Sequence, residues 1–179
     1  MSEPRDIPKA KADVYPLRRN AVHFGFGIAP EADAHLQQAA ALVSTREASL
    51  QALNAAHRVA PDQVEVLVAM FKFHFYQGDT DTAEALVREA LEKASRQGGF
   101  TREWRRLEAE SADWSDPRGP GRLFLYCLKA LAFIRLRQSA TVEAASILDT
   151  MRRLDPTDQV GADVIRDLLD GVEGDREDG

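Results

Sequence analysis

The stretch FYQGDTDTAEALVREAL, residues 75–91, joins two apolar segments of different character through one glycine, Gly78. Before the glycine, residues at three- and four-residue spacings form one face: Leu67, Met70, Phe71, His74 and Phe75. After it, small and apolar residues again share a face: Ala83, Leu86, Val87, Ala90 and Leu91. The alternation FKFHFY at 71–76 would also suit a strand. However, the wider spacing follows the helical period, so the stretch predicts two helices joined by a tight turn.

A second copy of this pattern follows later in the chain. When LYCLKALAFIRLRQSATVEAASILDTMRRLDP is superposed on the first window, Gly78 falls on Ser139, Ala83 on Ala144, Val87 on Leu148 and Ala90 on Met151. An earlier, weaker copy ends at Pro61, which takes the place of Pro156, and it carries Leu53 and Ala56 at the packing sites. Two antiparallel helices approach closely where small residues line the contact. We therefore expect an all-α chain of about three antiparallel hairpins with a C-terminal capping helix.

These residues resemble the tetratricopeptide repeat, a helix–turn–helix unit of about 34 residues. Gly78, Ala83 and Ala90 match its turn glycine and two small packing residues. The later copy matches at Leu128, Leu131, Ala132, Ala144, Leu154, Asp155 and Pro156. The likeness covers residues 30–94 and 125–171, and it departs from the family at Phe71, where a small residue is usual, and at Ser139. It implies a TPR-like fold whose first helices line a concave, partner-binding surface.

Two narrower resemblances suggest a biological setting. The stretches WSDPRGPGRLFLYCLKALAFIRLRQ and LDPTDQVGADVIRDLL are similar to small repeat proteins of nitrogen-fixing bacteria, which implies a role in nitrogenase assembly or protection. The length, three hairpins and acidic charge also resemble small type III secretion chaperones. Both resemblances imply an adaptor or chaperone rather than an enzyme.

The chain divides into a repeat region and less regular segments. Residues 1–28 are proline-bearing and predict a flexible N-terminal arm, whose last part, AVHFGFGIAP, could dock as an extended strap. Residues 29–171 form the predicted helical domain, with an irregular insertion at 95–122, and residues 172–179 form an acidic tail. Within the helices, Ser44 with Glu47 and Asp62 with Glu65 match the capping-box pattern.

Composition excludes several classes of function. The formal net charge of −6 argues against nucleic-acid binding, which needs a basic footprint. Cys127 is the only cysteine, so an intrachain disulfide and a thiolate zinc site are excluded. No apolar run approaches the length of a membrane span. Since no catalytic, metal or cofactor motif emerges, we expect a cytoplasmic protein that is not an enzyme and uses no cofactor or metal.

The predicted binding surface combines aromatic and basic residues on the first helices of two hairpins. Its partner-binding residues are Lys72, Phe75, Tyr76, Tyr126, Lys129, Phe133 and Arg137, and Glu65, Val68 and Leu136 also face inward. Such a surface suits a protein or peptide segment with acidic and apolar residues. We expect no nucleic acid and no membrane insertion, and a homo-oligomer stays open.

Three alternatives stay open at this point. The N-terminal arm or the insertion could fill the groove. The insertion also carries arginines that either are solvated or meet an acidic partner: Arg102, Arg105, Arg106, Arg118 and Arg122. Finally, an all-α enzyme or ligand-binding domain could place a pocket between the insertion and the second hairpin, with His74, Tyr76, Tyr126 and Arg137 as its polar residues.

Overall fold

The computed structural model describes residues 27–177, and within this range every long element is helical. The helices are α1 (Pro30–Ala41), α2 (Arg46–Val59), α3 (Val64–Tyr76), α4 (Thr80–Gly98), α5 (Pro120–Arg137), α6 (Thr141–Leu154) and α7 (Asp163–Glu177), with short 3-10 turns at Trp104–Arg106 and Ala109–Ser111. No strand occurs in the described range. The all-α prediction is confirmed. The predicted arm lies outside the described residues except for Gly27 and Ile28.

The helices pack mainly against their neighbours in sequence. α1 contacts α2, α3 contacts α4, and α5 contacts α6, while α4 also packs along α5. A small apolar core lies between α1, α2 and α3. A larger core extends from α3 through α6 to α7 and includes Ala83 and Ala144, both fully buried. The small residues predicted to line the helix contacts are therefore core residues.

The turns that end α3 and α5 have the same backbone geometry. Gly78 has φ of 82° and Ser139 has φ of 62°, both in the left-handed region. The amide of Asp79 bonds to the carbonyl of His74, and the amide of Ala140 bonds to that of Arg135. A serine therefore occupies a position that favours glycine, as the superposition of the two windows predicts.

Local capping departs from the sequence expectation. The two predicted capping boxes are wrong, because α2 and α3 begin after Thr45 and Gln63 with no side-chain cap. The side chain of Gln63 instead bonds to the segment just before α1. Its Oε1 accepts from Ala29 N (3.0 Å) and its Nε2 donates to Gly27 O (3.2 Å). These bonds fix the chain where it enters the domain, beside the start of α3.

The last helix, α7, begins at Asp163, after a loop that follows the end of α6 at Leu154. The intervening loop is held by two aspartates, since Asp155 Oδ2 accepts from Val160 N (3.0 Å) and Asp158 Oδ1 accepts from Ala162 N. Asp158 has φ of 49°. α7 then continues to Glu177, into the segment predicted as an acidic tail.

The predicted insertion is part of the core rather than a surface excursion. α4 continues to Gly98, so the irregular stretch spans residues 99–119. Trp104, Leu107 and Trp114 are buried, and Phe100 lies between Trp114 (centroids 5.3 Å apart) and Phe124 of α5 (5.2 Å). Two 3-10 turns, at Trp104–Arg106 and Ala109–Ser111, position these side chains.

Candidate partner-binding face

One face of α3 lies opposite one face of α5, and together they form the inner face. We define it by Glu65, Lys72, Phe75 and Tyr76 of α3 and by Arg122, Tyr126, Lys129, Phe133 and Arg137 of α5. On each helix these positions recur at three, four or seven residues, so they share one side. The rings of Phe75 and Phe133 lie 5.0 Å apart and join the two helices. All seven predicted partner-binding residues lie on this face.

The C-terminal end of the inner face is aromatic and basic. Arg137 places its guanidinium carbon 6.0 Å from the centroid of the Phe75 ring, within range of a cation–π contact. Tyr76 packs edge-on against Phe75, with centroids 5.9 Å apart, and is 40% exposed. Phe133 is buried beneath them. Tyr76 and the half-buried Phe75 therefore form apolar surface on this face, whereas Phe133 supports them from the core.

The middle of the face carries two lysines, of which Lys72 is half-buried and Lys129 is buried. Burial lowers the pKa of Lys72, and among the described residues no carboxylate forms an ion pair with it. Lys129 is 5% exposed, and its pKa is also lowered, first by burial and in part by the charge of Lys72. Two positive charges thus lie near each other without a bonded carboxylate. This arrangement favours an anionic group from outside.

Lys129 already forms a hydrogen bond within the chain. Its ammonium donates to the carbonyl oxygen of Val160 in the loop between α6 and α7, and Asp158 of that loop partly offsets the loss of solvation. Lys129 also lies over the Tyr126 ring at 5.4 Å. Burial raises the pKa of Tyr126. The loop therefore borders this part of the inner face, whereas the buried tryptophans of the insertion pack within the larger core.

Two polar residues of the inner face were not among the predicted binding residues. Glu65 was predicted to face inward but was not counted among the binding residues, and Arg122 was assigned to the insertion. Arg122 belongs to α5, one turn before Tyr126. The helical spacing of Arg122, Tyr126 and Lys129 could have found it, but the Pro/Gly-rich sequence before it predicted a loop that continued to this residue.

The alternative of a pocket beside the insertion finds a depression in the structure, but the predicted polar residues do not line this depression. An open depression of about 700 Å³ lies between Arg105 and the α5–α6 turn. It is lined by Arg105, Arg135, Ser139, Ala140, Thr141, Val142, Glu143 and Ser146. None of the four predicted polar residues lines it. His74 instead bonds through Nδ1 to Asp79 Oδ2 at 3.0 Å, in the α3–α4 turn.

The predicted arginine cluster is divided among different contacts. Arg102 pairs with Glu92 (2.8 Å), and Arg105 stacks on Trp104 at 3.8 Å. Arg122 donates to Gln159 Oε1 at 2.7 Å. These contacts hold the irregular stretch and the α6–α7 loop in place.

Within the described range, no helix is both long and apolar enough to cross a membrane.

Comparison with known proteins gives one relative. The chain is 27% identical over 121 residues to the "Uncharacterized 19.8 kDa protein in nifW 5'region" of Azotobacter chroococcum mcd 1, covering 66% of this chain and 68% of the relative. No protein-family model matches the chain, and no solved structure matches it. The likeness to a nif-region protein agrees with the resemblance to small proteins of nitrogen-fixing bacteria, and the tetratricopeptide resemblance stays an interpretation of the repeat.

Proposed function

We propose that this protein is a non-catalytic protein-binding module that holds a segment of a partner protein against the inner face. The observation that carries the proposal is the pairing of exposed apolar surface with unmatched positive charge. Phe75 and Tyr76 offer the apolar surface, and Lys72 has no ion-pair partner in the described part of the chain. The body of the protein is acidic, so this local basic surface selects for a partner with carboxylates.

We interpret the packing of α1 with α2, α3 with α4 and α5 with α6 as a TPR-like stack of three helical hairpins closed by α7. Repeat domains of this kind bind extended segments on the side formed by their first helices. The α3 and α5 positions of the inner face correspond to that side. The proposed role is therefore that of a cytoplasmic adaptor or chaperone.

The relative's name supports a setting in nitrogen fixation. That protein is named for the nifW 5' region, and the present chain shares more than a quarter of its residues over the matched part. We propose that the partner belongs to a larger assembly such as nitrogenase and that this protein acts as an accessory factor for it.

Affinity capture from the native host, quantified by mass spectrometry, tests the proposal. Lys129 and Phe133 are poor targets because both are buried. The variant Lys72→Glu with Tyr76→Ala instead reverses one charge and removes one exposed ring of the inner face. The matched control is Arg106→Glu with Val142→Ala, which changes an exposed charge and an 84% exposed apolar side chain elsewhere.

We expect the wild type and the control to capture the same protein and the inner-face variant to lose at least about tenfold of it, equivalent to about 1.4 kcal/mol. Circular dichroism melts check that all three proteins fold. Equal capture by the folded inner-face variant and the control would exclude this surface.

A further inference from the structure

The open depression beside the α5–α6 turn is separate from the inner face and shares no residue with it. It lies between Arg105 of the irregular stretch and the first turn of α6, and its volume is about 700 Å³. The two parts of the chain are held together because the 3-10 turn at Trp104–Arg106 packs against α6. The depression is open to solvent, so a ligand from outside reaches all of its lining residues.

The first turn of α6 lacks the side-chain cap that its counterpart in α4 has. In α4, Asp79 accepts from Thr82 N at 3.2 Å. In α6, Ala140 takes the corresponding position and provides no side-chain bond. The first N–H groups of a helix have no partner within the helix and carry partial positive charge. Because the amides of residues 141–143 have no acceptor among the described residues, this turn is free to bind an anion.

The side chain of Thr141 supplies a second, independent donor. Thr141 is 8% exposed and lines the depression. Its hydroxyl forms no hydrogen bond with another described residue. The oxygen is not one of the unpaired atoms that are shut off from solvent, so it remains accessible from the depression. A nearly buried hydroxyl normally has a partner, and here the partner has to come from outside the described chain.

Arg105 brings a positive charge to the other side of the depression. Its guanidinium carbon lies 3.8 Å from the centroid of the Trp104 ring, and this stacking on a buried ring fixes its position. Arg102 of the same stretch pairs with Glu92 at 2.8 Å. Arg105, in contrast, forms no ion pair or hydrogen bond with another described residue. The donors of its guanidinium are therefore available to a ligand.

The one carboxylate that lines the depression is already neutralised. Glu143 accepts from Arg88 through Oε1 at 3.1 Å and pairs with Arg135 through Oε2 at 2.7 Å. Both arginines also pair with Glu84, at 2.8 and 3.0 Å. The charges of these four side chains cancel. Arg105 is left as the unmatched charge of the depression, which favours an anionic ligand.

We propose that this depression binds a phosphate group, either as inorganic phosphate or as the end of a small phosphomonoester. The phosphate oxygens accept from the amides at the start of α6, from the Thr141 hydroxyl and from the Arg105 guanidinium. A phosphate fits these donors better than a carboxylate does, because its acceptor oxygens are not confined to one plane and reach donors on both sides. The inference does not depend on the proposed function of the inner face.

Nuclear magnetic resonance of the backbone amides tests the site directly. The isotope-labelled full chain is titrated at constant pH and ionic strength with inorganic phosphate, with glycerol phosphate and with acetate. We expect both phosphate probes to shift the amides of residues 141–143 to saturation. The amides of residues 80–82, at the capped start of α4, should stay unchanged. The phosphate probe with the lower dissociation constant identifies the source of the phosphate group.

Three variants separate the contributions of the donors. Arg105→Gln should weaken phosphate binding at least about fivefold, because it removes a charged donor. Thr141→Val, which removes only the hydroxyl, should weaken it about threefold. Ala140→Asp places a carboxylate on the same amides and should abolish binding in a folded protein. The control Arg106→Gln neutralises an exposed neighbour that does not line the depression and should bind as the wild type does. Circular dichroism melts check folding.

Three results would overturn the inference. The first is the absence of saturating shifts at residues 141–143 of the wild type. The second is wild-type affinity in folded Arg105→Gln, since the anion would then contact only the helix end. The third is equal affinity for acetate and phosphate, which would mean that the site does not select a phosphate group. None of these results bears on the inner face, which partner capture tests separately.

Discussion

The turns that join α3 to α4 and α5 to α6 have the same backbone geometry but carry different side chains. Gly78 and Ser139 both have positive φ. The next residue differs more: Asp79 caps α4 by accepting from Thr82 N (3.2 Å), whereas Ala140 gives α6 no side-chain cap. Packing explains why the geometry survives these changes, because Ala83 and Ala144 are both fully buried. The comparison teaches that helix packing fixes the turn and that the turn residues only adjust its stability.

The two pairs differ most on the inner face. When the copies are superposed, Glu65 falls on Tyr126 and Lys72 falls on Phe133. Core positions thus keep their small or apolar character from copy to copy, while inner-face positions change charge. The burial of these positions also differs, since Phe133 lies in the larger core whereas Lys72 is half-buried. The proposed binding chemistry therefore rests largely on positions at which the two copies differ.

The largest expected loss of stability comes from substituting the buried alanine that the two copies share. Ala83→Glu places a carboxylate without a partner in the helix contact, and we expect it to cost at least about 3 kcal/mol of unfolding free energy. Ala144→Glu should do the same in the other pair. Urea denaturation measures both, and Ala85→Glu on the exposed side of α4 is the control. A wild-type midpoint for Ala83→Glu would show that the contact is not close.

The shared framework was predictable from sequence because it depends on local patterns. The 3.6-residue period, the small residues Ala83 and Ala144, and the stop at Gly78 all act within one or two turns of helix. The superposition even anticipated that Ser139 takes the glycine's place. The capping boxes failed for the opposite reason: Gln63 is drawn into bonds with Gly27 and Ala29, and sequence spacing alone does not reveal this competition.

The binding face was predictable only in part. The aromatic and lysine residues chosen from helical spacing lie along facing sides of α3 and α5, but Lys129 and Phe133 are buried. The burial of Lys129 did not follow, since it depends on Val160 of a distant loop.

A smaller effect is expected from exchanging the caps. Asp79→Ala should destabilise the protein by about 1 kcal/mol, and Ala140→Asp should stabilise it by a similar amount, as is typical for an N-cap side chain. Chemical denaturation at neutral pH measures both. If Ala140→Asp has no effect, α6 is stabilised by packing alone. The N-termini of α4 and α6 are then not equivalent.

The pH dependence of Asp79→Ala sharpens this test. Bonds from the side chain and amide of Thr82, followed by the contact with His74, lower the pKa of Asp79 below its ordinary value of 3.8. Because the folded-state pKa is depressed, the stabilisation is present above pH 3.8 and is lost as pH falls through the folded-state value. We therefore expect the stabilities of the wild type and Asp79→Ala to converge as the pH falls through the depressed folded-state pKa of Asp79. Glu89→Ala, at an exposed ion pair of α4, serves as a control for general charge effects.

The smallest effect is expected at the turn residue itself. Ser139→Gly removes the strain of a left-handed serine, about 1 kcal/mol, but increases the backbone freedom of the unfolded chain, which costs about 0.5–1 kcal/mol. The net gain should be near 0.5 kcal/mol or less. Gly78→Ser should lose a similar amount, since nothing lies within 4 Å of a Cβ placed at Gly78 and only its φ opposes a side chain. Denaturation midpoints measured in parallel resolve both changes. A loss above about 2 kcal/mol for Gly78→Ser would mean that its turn is tighter than that of Ser139, because strain alone costs about 1–2 kcal/mol at such a position.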